Sequence, residues 1–190
     1  MAELELRPST ELEAINFMLA TIGESPVNTV EDNGVVDAVL ARQFLTMTMR
    51  RCQAKGWHWN TEKSLVLART FPENHVFLPR ATLKVDTVGP SSDVDAVIRG
   101  GRLYDRANHT YAFEADVTVD LVVMLPFEEL SETVRQYVMI AASRSYQEKF
   151  VGSEALARFS QRDELMAWAD LVNEEAENGD FNVLGREVER

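Results

Sequence analysis

The chain has one cysteine, three histidines, six prolines and no apolar run that approaches a membrane span. Each shortage closes off a class of protein. With Cys52 alone no disulfide forms within the chain, and a lone Cys in a helical pattern is a small filler rather than a nucleophile. His58, His75 and His109 stand apart, with no second His or Cys at ligand spacing, so no metal centre is expected. Phosphate chemistry is equally unsupported, because Gly100-Gly101 has neither the Lys-Ser/Thr nor the helix that a phosphate-binding loop requires. No serine occupies a Gly-x-Ser-x-Gly elbow. A bilayer span takes about 18 apolar residues, and the N-terminus lacks the basic start and apolar run of a signal peptide, so synthesis and assembly are expected in the cytoplasm without membrane attachment. No cofactor is expected.

What the chain does have is core-forming material and acid. Over 190 residues, 45% hydrophobic and 26% charged content suits one globular domain, or one carrying an insertion. The net charge of -12 is unevenly spread. Residues 1–33 set one Arg against seven acids, and 153–190 four Arg against ten, whereas 34–56 set four cations against Asp37 alone. Gripping the DNA backbone takes clustered Lys and Arg. The one basic patch here, Arg42, Arg50, Arg51 and Lys55, lies on a single helix. It reads either as a solvated face with cations near a helix C-terminus or as a contact between subunits or a local touch on phosphate.

Helical signals occupy both ends of the chain. Thr10 and Glu13 make a capping box for a helix with Leu12, Ile15, Leu19 and Ile22 on one face, stopped by Gly23 and Pro26. A second helix is expected from about Val35 to Lys55, with a core stripe of Val36, Leu40, Phe44, Met47 and Arg51. Two more follow Ser131 and Ser153, the second ending at Asn178-Gly179. Between the pairs lie seven short Val-, Leu- and aromatic-rich runs: 65–67, 76–78, 83–85, 97–98, 103–104, 111–113 and 117–124. Gly, Pro, Asn and Asp clusters punctuate them, and Arg99-Gly100-Gly101-Arg102 is a hairpin turn. Neither helix pair can bury its apolar stripe alone. The expected class is therefore α+β: a four-helix bundle formed by the N- and C-terminal helix pairs (1–56 and 126–179), an inserted antiparallel β-sheet region (57–125), and a C-terminal tail (180–190).

Candidate chemistry is sparse. Asp105, Glu128 and Glu129 offer carboxyls for a glycan hydrolase acting on host surface polysaccharide, although acidic pairs are common in a chain with 31 acids. Trp57 and Trp59 could stack on single-stranded nucleic acid, but no basic groove accompanies them, so packing is the stronger reading. Phe181, Val183 and Leu184, set among charges, either fold back onto the chain's own helices or make a short anchor that docks on a neighbouring subunit or a partner, the reading favoured here.

Several segments together resemble one family. They are Ala14-Ile15-Asn16, Ala20, Ile22-Gly23-Glu24 and Pro26-Val27; Gln53, Gly56-Trp57 and Asn60-Thr61-Glu62; Gly100 to Asp105; Leu125 to Leu130; Arg135, Ala142, Arg144 and Val151-Gly152-Ser153; and Phe181-Asn182-Val183-Leu184. In order, and over nearly the whole chain, they resemble tail tubular protein A of short-tailed bacteriophages. Ser131 departs from a frequent Pro, Trp59 from Phe, and Phe181 from Tyr. The resemblance implies a non-enzymatic virion protein at the head–tail junction. It implies a ring, usually of twelve subunits, that binds the portal protein above and the nozzle protein, tail tubular protein B, below, with double-stranded DNA passing through. Within that role Phe181, Asn182, Val183 and Leu184 are expected to dock a partner, and Arg42, Arg50 and Arg51 to contact the neighbouring subunit. A DNA-binding regulator built on the helices is the other non-enzymatic reading, and it predicts salt-sensitive duplex binding.

Overall fold

The computed structural model describes residues 7–29, 31, 35–150 and 154–178. The class is α+β, with helices α1 (Glu11–Thr21), α2 (Val36–Gln53), α3 (Glu132–Phe150) and α4 (Glu154–Asn178). Between α2 and α3 lie strands β1 (Thr61–Leu67), β2 (Thr82–Thr87), β3 (Ala96–Arg99), β4 (Arg102–Asp105) and β5 (Val117–Val123). Contacts divide the chain into a helical unit, Met1–Cys52 with Pro126–Arg190, and a β unit, Gln53–Leu125.

In the helical unit, α1 starts at a complete capping box. The Thr10 hydroxyl accepts from the Glu13 N–H, and the Glu13 carboxylate accepts from the Thr10 N–H at 2.7 Å. These bonds hold the Glu13 carboxyl below its ordinary pKa. The helix closes with Gly23 at φ +84, which lets the N–H groups of Gly23 and Glu24 return to Ala20 and Leu19. Asn16 then fixes the following turn with its side-chain amide, which donates to Val27 O and accepts from Val27 N–H at 3.0 and 2.8 Å.

The other three helices all touch α3. It packs along α1 and α4; Phe44 of α2 meets Tyr146 edge-on at 5.5 Å, and the Tyr146 hydroxyl donates to Asp37 O. Tyr137 lies 5.1 Å from Trp168 of α4. The N-terminus of α3 is set by Arg135, which donates to the carbonyls of Leu130, Ser9 and Glu128. One buried guanidinium thereby satisfies three loop acceptors that no helix or strand would pair. Arg144 bridges Glu148 on its own helix and Glu164 on α4. Ser153, expected to cap α4, lies outside the described residues.

The stripe expected to face inward on α2 does so only in part. Val36 and Met47 are 68% and 63% exposed and Arg51 is exposed, whereas Leu40 and Phe44 are half-buried. The buried side is Ala38, Ala41, Leu45, Met49 and Cys52. This helix carries two apolar stripes, and the inward one is lined at its start by alanines, whose small side chains allow close approach. Periodicity alone favoured the bulkier stripe.

In the β unit, β5 is the central strand of an antiparallel sheet ordered β1-β5-β2, and β3 and β4 form a hairpin. Gly100 and Gly101 take φ +58 and +74 at its two-residue turn, as the twist of such a hairpin demands. Val76, Leu103, Phe113, Val117, Val119 and Leu121 are the core. Two expected strands, 76–78 and 111–113, contribute only single bridges, His75↔Ala112 and Phe77↔Arg102. Pro72 and Pro79 bracket the first run and lack the N–H that a longer ladder needs.

The β unit is closed by two buried amides. Gln53, with no exposed surface, donates to Leu125 O at 3.0 Å and accepts from Leu125 N–H at 2.7 Å, imitating a strand partner. Asn60 accepts from the Trp57 N–H and donates to the carbonyls of Gln53 and Val123. The inbound and outbound segments are thus joined side by side. Gly56 lies between these amides at φ +82, where a Cβ would stand 3.0 Å from Val122 Cγ2. This close approach covers Val122, on the face of β5 that alternation assigns to solvent. Replacing Gln53 with Ala strands the Leu125 N–H and C=O, and is expected to cost about 2–4 kcal/mol; denaturant unfolding followed by circular dichroism should record the earlier midpoint, and an unchanged midpoint would refute the clamp.

Candidate functional site: exposed faces of the helical unit

Because Ala38, Ala41 and Leu45 are buried, the opposite side of α2 is offered outward. Val39, Arg42, Gln43, Thr46, Met47 and Arg50 line an open groove of about 410 Å³ on it. Of the three arginines expected to contact a neighbouring subunit, Arg42 is engaged at home, its Nε lying 2.8 Å from Glu11 Oε1. Arg50 and Arg51 are exposed and make no ion pair with a described residue. The face therefore pairs exposed Val36 and Met47 with two uncommitted cations.

A second concavity, about 480 Å³, lies between α3 and α4 and is lined by Glu132, Gln136, Ile140, Asp163, Met166 and Asp170 among others. Glu132 is a structural member. Burial pushes its carboxyl up, but hydrogen bonds from Gln136 and from the Ser9 hydroxyl and N–H outweigh that and leave it below its ordinary value. Asp163 and Asp170 are exposed, with no ion pair to a described residue, and Met166 between them is 58% exposed.

Of the carboxyls considered for hydrolysis, Asp105 has another duty. Asp105 accepts from the Asn108 N–H at 3.0 Å and from the Asn108 amide at 2.8 Å, bonds that hold its carboxyl below the ordinary range. An acid catalyst needs the opposite shift. Glu128 and Glu129 are exposed on a 3-10 turn, Phe127–Glu129. The tryptophans are not a platform for bases: Trp57 is buried and stacks on Trp59 at 6.4 Å across the 3-10 turn His58–Asn60. Among the described residues no three His, Cys, Asp or Glu side chains converge to hold a metal, and no helix is long and apolar enough to cross a membrane. Phe181, Asn182, Val183 and Leu184 lie outside the described residues.

Sequence reading passed over one cluster. On the outer face of the hairpin, Arg99 lies over Tyr104 at 3.9 Å and Arg102 over Tyr111 at 4.2 Å, with Tyr104 and Tyr111 4.8 Å apart. Arg102 Nη1 is also 3.0 Å from His75 Nδ1, and Phe77 beside it is half exposed. Two-residue alternation through the Gly-Gly turn already puts Arg99, Arg102 and Tyr104 on one face. Tyr111 and His75 arrive from segments that only the tertiary fold brings near.

The described residues thus offer polar side chains that staple loops and outward faces that combine apolar and charged groups, and comparison with known proteins supplies the family. The family described as tail tubular protein matches residues 12–181, so the chain belongs to the tail tubular protein family, whose members are structural components of bacteriophage tails. It is 28% identical over 155 residues to tail tubular protein A of Klebsiella phage KP34, covering 81% of each chain.

With a depressed carboxyl, Asp105 adds stability above its unfolded pKa near 3.8, and that stability is lost as pH falls through the lower folded value. Asp105→Asn is therefore expected to unfold earlier than the parent at pH 7 and to converge with it in strong acid. Denaturant midpoints at several pH values test this; equal midpoints at neutral pH would deny the staple.

Proposed function

We propose that this chain is the subunit of an adaptor ring, of twelve copies, at the head–tail junction of a short-tailed phage, assembled in the host cytoplasm. The ring attaches beneath the portal protein, receives the nozzle protein, tail tubular protein B, and forms part of the channel through which double-stranded DNA leaves. Family membership across residues 12–181 carries this reading. The relative from Klebsiella phage KP34, itself named tail tubular protein A, supports it.

In this reading the four helices form one bundle, which serves as the body of each subunit, and the β region is its insertion. Arg42, Arg50 and Arg51 contact the neighbouring copy, and Phe181 to Leu184 dock on a partner. The charge suits a conduit. A chain of net charge -12 repels phosphate at close range and lets duplex DNA pass without specific binding, whereas a basic lining would retain it.

Light scattering coupled to size exclusion, over a concentration range and with or without portal protein, tests the proposal. A ring-sized species, or a monomer that joins portal in a defined complex, is the expected result. A monomer at every concentration that ignores portal would end the adaptor reading.

A further inference from the structure

We infer that the outward face of α2 on one copy seats in the α3–α4 cleft of the next, Met47, Arg50 and Arg51 meeting Asp163, Met166 and Asp170. The inference rests on the adaptor reading for the closed assembly, but the contact itself is argued from the two surfaces. Each centres on an exposed methionine, a flexible side chain that adapts to an irregular partner. Each carries exposed charges beside that methionine with no ion-pair partner among the described residues: Arg50 and Arg51 on α2, and Asp163 and Asp170 lining the cleft, with the exposed Arg162 one turn before Met166 outside that lining.

The spacing also matches. Arg50 and Arg51 follow Met47 by one turn, while Asp163 and Asp170 stand one turn before and after Met166. With the methionines in contact, a carboxylate lies opposite the arginines whichever way the two helices run. Residues 34–56 are the one basic stretch in a strongly acidic chain, so a second copy supplies the complement at high local concentration. The two surfaces share no residue, so each copy presents both at once. A contact of that kind is head-to-tail, and it closes into a ring when the rotation per copy divides the circle.

Charge exchange tests the pairing. Arg50→Glu with Arg51→Glu gives a copy with two acidic faces; Asp163→Lys with Asp170→Lys gives one with two basic faces. Each variant alone is expected to lose the ring-sized species by at least about tenfold at equal concentration, because like charges oppose. An equimolar mixture restores it, since every contact in an alternating ring is then complementary. Circular dichroism monitors the fold of both. Should a reversal unfold the chain, the neutral pairs Arg50→Gln with Arg51→Gln and Asp163→Asn with Asp170→Asn are expected to weaken assembly in its place. A parent that assembles together with variants that assemble equally well alone would overturn this contact and leave the adaptor reading standing. Loss in each variant without recovery in the mixture would also overturn it. A parent that assembles neither alone nor with portal would overturn both.

Discussion

The β unit depends on a pair of amides. Once Gln53 and Asn60 have taken up Leu125, Val123, Trp57 and the Gln53 carbonyl, the segment that leaves α2 and the segment that leads toward α3 run side by side. A buried backbone group without a partner costs about 1–3 kcal/mol, and no strand is placed to serve Leu125. A side-chain amide carries a donor and an acceptor at the spacing of a peptide group, so it serves where a strand partner is missing. Gly56, between the two, is the position where the chain passes too close to Val122 for a Cβ.

The same solution recurs in the helical unit. Asn16 pairs with both polar groups of Val27, and Arg135 supplies three carbonyls. Gln53, Gly56, Asn60, Asn16 and Arg135 are also residues on which the family resemblance rests. Their chemistry is wholly internal: each completes hydrogen bonding in a loop or keeps a close approach open. A signature built of such residues specifies a shape, which agrees with membership of a structural tail family.

Val36 and Met47 on α2 and Leu165, Met166 and Val172 on α4 are exposed hydrophobic residues. Such surface favours association. Net charge far from zero opposes indiscriminate clustering, so contact is favoured where a local basic face offsets the general repulsion. Residues 34–56 supply that offset. In the contact inferred above, general acidity and the basic helix are two halves of one arrangement.

Features governed by neighbours in sequence were legible without a structure. The Thr10–Glu13 capping box, the Gly23 stop and the Gly100-Gly101 hairpin follow from bonds spanning a few residues, and the two-residue period of a strand puts Val117, Val119 and Leu121 on one face, which is the buried one. What faces what was not legible. On α2 two apolar stripes satisfied the same period, and only packing of the Ala38–Ala41 side selected between them. Val122 is buried because a distant segment lies over it, and the Arg–Tyr cluster exists because Tyr111 and His75 approach β4 from outside its own strand pair. The sequence by itself therefore determined the helices, the order of helical and sheet regions and the family, since these depend on local bonding and motif spacing, whereas two of the expected strands form only isolated bridges. The tertiary structure decided which faces are core and which are offered to a partner, because burial depends on contacts between residues far apart in the chain.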